Sequence, residues 1–138
     1  MGLDNGIIMK KITRNQLDKI PDFVKYELFR NDDNTYDIEL AYWRKCWNVR
    51  DAIINAINPY CDLSSTADCD IDKDDIPALI RGLMPLFDRS AWIDGRKGSI
   101  WTFEEQFNNM IQVVLNLKWL ETFLKENPDV KVRFYDSF

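Results

Sequence analysis

The turn cluster Asn31-Asp32-Asp33-Asn34 sits between two segments of alternating apolar residues, and this arrangement limits the fold more than any other feature of the chain. Before it, Val24, Tyr26 and Leu28 recur at every second position of Phe23–Arg30. After it, Tyr36, Ile38 and Leu40 do the same. Period-two alternation places each set on one face of a strand, and short Asn and Asp side chains favour the reversal between them. A β-hairpin is predicted. Two further strands are expected to join it, Gly6–Ile12 near the N-terminus and Val130–Phe138 at the end, the latter with Val130, Val132 and Phe134 on one face.

Three helical patterns accompany the strands. The first is expected over Ala41–Ile57, stopped by Asn58-Pro59, with Trp43, Cys46, Trp47, Ile53, Ile54 and Ile57 on one arc. A second opens with Asp72 as N-cap and Asp75 at the third helical position, where acids suit the positive end of a helix. Ile76, Leu79, Ile80, Leu83, Met84 and Phe87 follow at helical spacing, while Gly82 and Pro85 forecast a bend or an early end. Residues 58–71 between these two helices read as loop. Thr102-Phe103-Glu104-Glu105 has the form of a capping box and opens a third helix to about Asn127, before Pro128. Its first half would bury Phe103, Phe107, Met110, Val113 and Val114; its second half places Leu115, Trp119 and Phe123 on the formerly polar side. The chain is therefore expected to be a single α+β domain over residues 1–138, a small antiparallel sheet packed against about three helices.

Composition excludes several kinds of chemistry. There is no histidine, which removes Ser-His-Asp and Cys-His hydrolysis and every His-ligated metal site. Cys46, Cys61 and Cys69 form no C-x-x-C and are odd in number, so reduced thiols are expected rather than a disulfide framework. With 18 basic and 23 acidic residues the net charge is −5, a poor balance for gripping nucleic-acid phosphates. No apolar run approaches the roughly 20 residues that span a bilayer, and Met1–Gly6 has no signal-peptide pattern. A cytoplasmic protein without cofactor or metal is the expectation.

Candidate sites are few. Asp68, Asp70 and Asp72 match the start of a calcium loop, but Lys73 falls where its glycine belongs and Leu79 where its chelating Glu belongs. Gly95-Arg96-Lys97-Gly98-Ser99 could bring Arg96 to a phosphate, yet it lacks the P-loop pattern. Tyr42-Trp43-Arg44-Lys45 sets two aromatics beside two cations, suited either to holding an anion or planar ligand or to anchoring the core. Arg50 projects into the apolar arc of the first helix next to Trp47. A guanidinium cannot be discharged, so it requires a buried carboxylate or a bound anion. Both possibilities stay open. Trp119 and Phe123 offer an aromatic surface to a partner.

The opening Met1-Gly2-Leu3-Asp4, the segment Glu39-Leu40-Ala41-Tyr42-Trp43-Arg44-Lys45 and the segment from Gly98-Ser99 into a long helix resemble a family of uncharacterised phage and prophage proteins. Those begin M-G-L-D and carry Y-W-R-K-A-N-x-I-H; here Cys46, Trp47 and Arg50 stand at the alanine, asparagine and histidine positions. The resemblance implies a phage or mobile-element setting, in which small accessory proteins bind host components, and it carries no known activity. The expected function is binding of a host or phage partner, or self-association, rather than catalysis. The alternative is a small anionic or nucleotide-like ligand held by Arg44, Arg50 and Arg96 between Tyr42, Trp43 and Trp47.

Overall fold

The fold is α+β, a five-stranded antiparallel sheet with its helices gathered on one face. The structure, a computed structural model, describes residues 4–44, 46–60, 68–88 and 103–137. In chain order these form β1 (Asp4–Ile12), α1 (Arg14–Leu17), β2 (Glu27–Arg30), β3 (Tyr36–Arg44), α2 (Trp47–Ile57), β4 (Cys69–Ile71), α3 (Ile76–Leu83), α4 (Phe103–Glu126) and β5 (Lys131–Ser137). The strand order is β2-β3-β1-β5-β4. The first strand is therefore central, with the hairpin on one side and the C-terminal strand on the other.

Alternation decides what each face carries. Ile7 and Met9 of β1, Ile38, Ala41 and Trp43 of β3, and Val132 and Phe134 of β5 point into a core completed by α2, α3 and α4. On α4 the buried stripe runs through Met110, Val113, Leu117, Leu120 and Leu124 at helical spacing. Gln106 and Asn116 also lie within it, and Leu115 is exposed, so the inward face does not change sides halfway along the helix. Asn116 has a clear reason to be buried. The β1–β3 register slips by one between Ile7, opposite Ala41, and Ile8, opposite Glu39, which leaves Leu40 as a bulge. The Asn116 amide donates to the Leu40 carbonyl at 2.9 Å and satisfies a group that the ladder no longer serves.

Several sequence expectations need correction. The helix expected from Ala41 starts at Trp47, because the strand continues through Arg44. Tyr42, Trp43 and Arg44 thus alternate across a sheet instead of winding around a helix. Residues expected to be loop include β4, a three-residue strand at the sheet edge beside β5. The first hairpin strand is shorter than its pattern: Asp22–Val24 form a single 3₁₀ turn, and Val24 is buried while Tyr26 and Leu28 are exposed. The polar stretch after β1 contains α1, closed by a reciprocal capping box between Thr13 and Gln16. Ahead of α3, Asp72 caps a 3₁₀ turn and pairs with Asp75 in a capping box, so the α-helix itself opens at Ile76 after Asp75, later than expected. Met84–Phe87 tightens into another 3₁₀ turn at Pro85. The Thr102 cap of α4, the Gly95–Ser99 loop with Arg96, Lys45 and Cys61 lie outside the described residues. No helix among the described residues is long and apolar enough to cross a membrane.

Gly6 sits where β1, β3 and β5 meet. A Cβ built there would lie 2.5 Å from the Ala41 carbonyl oxygen and 2.8 Å from the Tyr135 ring. The ring therefore lies directly over the bare backbone, as aromatics do when they cover a glycine in a neighbouring strand. Gly6→Ala is expected to lower unfolding free energy in urea by about 2 kcal/mol, the usual scale of overpacking against atoms that cannot yield.

Candidate functional site

The segment singled out in the sequence, Tyr42-Trp43-Arg44, is divided by the sheet. Trp43 points into the core and is fully buried, its indole Nε1 donating to Asn109 of α4 at 2.6 Å. Tyr42 and Arg44 point to the opposite face. There the Tyr42 hydroxyl donates to Asp4 at 2.7 Å, and Arg44 Nε stands 4.0 Å from the same carboxylate oxygen. Trp43 is thus separated by the sheet from Tyr42 and Arg44, which share the Asp4 carboxylate.

On the core side, α2 delivers Arg50 to the end of β5. Its Nε lies 3.2 and 3.1 Å from the two Asp136 oxygens, and Nη2 lies 3.0 Å from Oδ2. Nη1 meets Asp51 at 3.1 Å. The Arg50 and Asp136 side chains are 1% and 0% exposed, so this is an internal ion pair and not a surface one. Trp47 lies against the guanidinium, with the ring centroid 5.6 Å from Cζ. Asp68 accepts from the Asp136 backbone N–H at 2.8 Å, anchoring the start of β4 to the same group. Two carboxylates already face one guanidinium here, which makes the cluster unfavourable to a further anion. Asn5, opposite both Trp43 and Asp136, is fully buried, and its side-chain amide has no hydrogen-bond partner among the described residues.

The face opposite the described helices α2 and α4 holds a second constellation that the sequence did not reveal. Tyr26 stacks on Tyr42 with centroids 5.8 Å apart. Tyr135, lying over Gly6, donates its hydroxyl to Glu39. Burial pushes the Glu39 carboxyl above its usual range and Glu27 adds to the push, while the Tyr135 bond opposes both. Tyr42 is raised to about 12, chiefly by its bond to Asp4 and then by burial. Burial, and next the Glu39 bond, raises Tyr135 as well. Among the described residues, cations of this face are engaged elsewhere: Lys10 binds Asp37, Arg133 meets Asp70 and Arg44 lies near Asp4. Bonds from Lys10, the Lys11 backbone and Asn31 hold Asp37 below its usual range, against the effect of burial.

The other sequence candidates are placed plainly. Phe123 is buried and Trp119 half-buried, and the two rings stack at 4.7 Å against the core. The large apolar side chains that α4 exposes are instead Ile111 and Leu115. Asp68, Asp70 and Asp72 each have work within the chain, at Asp136, Arg133 and the Asp75 capping box.

Removing one partner of the buried pair leaves an uncompensated charge. Arg50→Met or Asp136→Asn should each cost about 3–5 kcal/mol in urea unfolding, and the double replacement Arg50→Met/Asp136→Leu should recover much of that loss. Glu39 gives a pH signature. Its folded-state pKa is raised, so the native state holds the proton longer than the unfolded state and stability falls as pH rises from the ordinary Glu range through the folded value. Glu39→Gln should remove this fall, and its advantage over wild type should grow from about pH 4 towards pH 7. No protein-family model, curated protein or solved structure matches the chain.

Proposed function

We propose that this chain works by binding a protein partner at the β2 edge of its sheet, and that it is not a catalyst. The observation that carries this reading is the concentration of exposed hydrophobics there. Phe23, Tyr26, Leu28 and Phe29 are 44–60% exposed within a single short stretch. Gln112 donates to the Phe23 carbonyl, which brings the exposed Ile111 and Leu115 of α4 to the same edge. A group of large apolar side chains rimmed by polar residues is the composition of an interaction surface. β2 is also an edge strand, so its outer backbone groups are available for pairing.

The phage or prophage setting suggested by Met1–Asp4 and Tyr42–Lys45 fits such a role, an accessory protein acting in the host cytoplasm without metal or cofactor. The alternative of an anionic or nucleotide-like ligand receives less support, because Arg50 is already shared by Asp136 and Asp51. Native mass spectrometry of the protein purified from its own host cell tests the reading. Wild type should carry a stoichiometric protein partner or second copy, and Leu28→Ser/Phe29→Ser should lose it with an unfolding midpoint within a few degrees of wild type, as for other exposed sites. A bare monomeric wild type, or a double variant that keeps its partner, would contradict it.

A further inference from the structure

The pairing of β2 with β3 sets Glu27 directly opposite Glu39. Like charges at such positions repel, and ordinary sheets avoid them. Here the cost is compounded, because Glu39 is only 5% exposed and, among the described residues, the side chain it bonds is the neutral Tyr135 hydroxyl. Among the described residues neither Glu27 nor Glu39 has an ion pair. The nearby cations do not relieve them: Lys25 bonds Asp22 and Arg30 bonds Asn34, while Lys10, Arg133 and Arg44 face other carboxylates. A carboxylate taken out of water without a counter-charge is costly, and the described residues supply none.

The surroundings complement one kind of guest. Tyr26, 57% exposed, presents a ring stacked on Tyr42 beside the two carboxylates, and Phe29 stands exposed two residues from Glu27 on the same face. Aromatic faces attract cations, and a planar guanidinium can both stack on a tyrosine and fork onto a carboxylate. No described helix covers this face, since α2 and α4 both reach the sheet from the side of Asp136 and Trp43.

We propose that Glu27 and Glu39, with the Tyr26–Tyr42 stack, form a site for an arginine side chain presented by a basic segment of the protein partner. The proposal rests on the partner-binding reading and adds the chemistry of what is bound. The guest's charge would end the repulsion between the two carboxylates, so the like-charge pair that burdens the free protein becomes a source of affinity in the complex.

The test is an NMR titration with a tetra-arginine peptide, with tetra-lysine and tetra-glutamate peptides as controls, run on wild type, Glu27→Gln and Tyr26→Ala. Both replaced residues are exposed, so both variants should fold. Tetra-arginine should shift backbone signals of β2, of Tyr42 and of Tyr135, and should bind more tightly than tetra-lysine. Tetra-glutamate should shift none of them. Glu27→Gln should weaken tetra-arginine about fivefold or more, the scale of about 1 kcal/mol. The same variant should be no less stable than wild type, because the repulsion is gone. Shifts scattered over all acidic surface, equal binding of arginine and lysine peptides, or unchanged affinity in Glu27→Gln would each overturn the site. Its failure is distinguishable from failure of partner binding, which is read from native mass spectrometry of wild type alone.

Discussion

The ion pair between Arg50 and Asp136 is the contact on which the rest of the arrangement depends. It ties α2, the helix that follows β3, to the C-terminal strand β5, across 86 positions of sequence. Both charges are out of water, so neither can be left without the other. The pairing fixes the depth of α2 over β5, and the Asp68 side chain bonds the Asp136 backbone N–H, so the approach to β4 is set from the same point. Closing this end internally also settles the use of the two faces. The Arg50 charge is answered by the protein's own carboxylates, whereas Glu27 and Glu39 on the opposite face have no counter-charge among the described residues.

How much of this was legible in the sequence differs by residue. The hairpin, the C-terminal strand and the Asp72/Asp75 cap could be read because each depends on neighbours a few positions apart. The misplaced start of α2 has a specific cause. The bulge at Leu40 shifts the inward phase of β3 by one residue, so Leu40 and Ala41 are both buried in the core and the next inward position is Trp43 rather than Tyr42. A strand with a one-residue phase slip produces the three-residue spacing of a helix, and Trp47 and Arg50 then continue the same apparent arc. Sequence periodicity cannot separate the two without knowledge of the partner strand.

Arg50 illustrates the complementary limit. That it needed an anion followed from its chemistry, but that the anion is Asp136 depends on tertiary contact across most of the chain. The tyrosine–carboxylate face was not legible at all. Glu27 and Glu39 confront one another only because the hairpin register places them so, and Tyr135 covers Gly6 only because β5 lies beside β1. On α4 the wide scatter of apolar residues suggested an outward aromatic patch. Instead Gln106 and Asn116 take inward positions, Asn116 to serve the bulge, and Leu115 is displaced outward.

The central claim is that the basic–aromatic cluster of α2 is closed by the protein itself, so that the proposed binding surface lies away from Arg50. The Arg50 side-chain Nε–H signal, followed by ¹⁵N NMR during a titration with inorganic phosphate, measures this most directly. The account predicts a slowly exchanging Nε–H whose shift is unchanged across the titration. A rapidly exchanging signal, or one that moves to saturation with phosphate, would show an open anion site at Arg50 and contradict it.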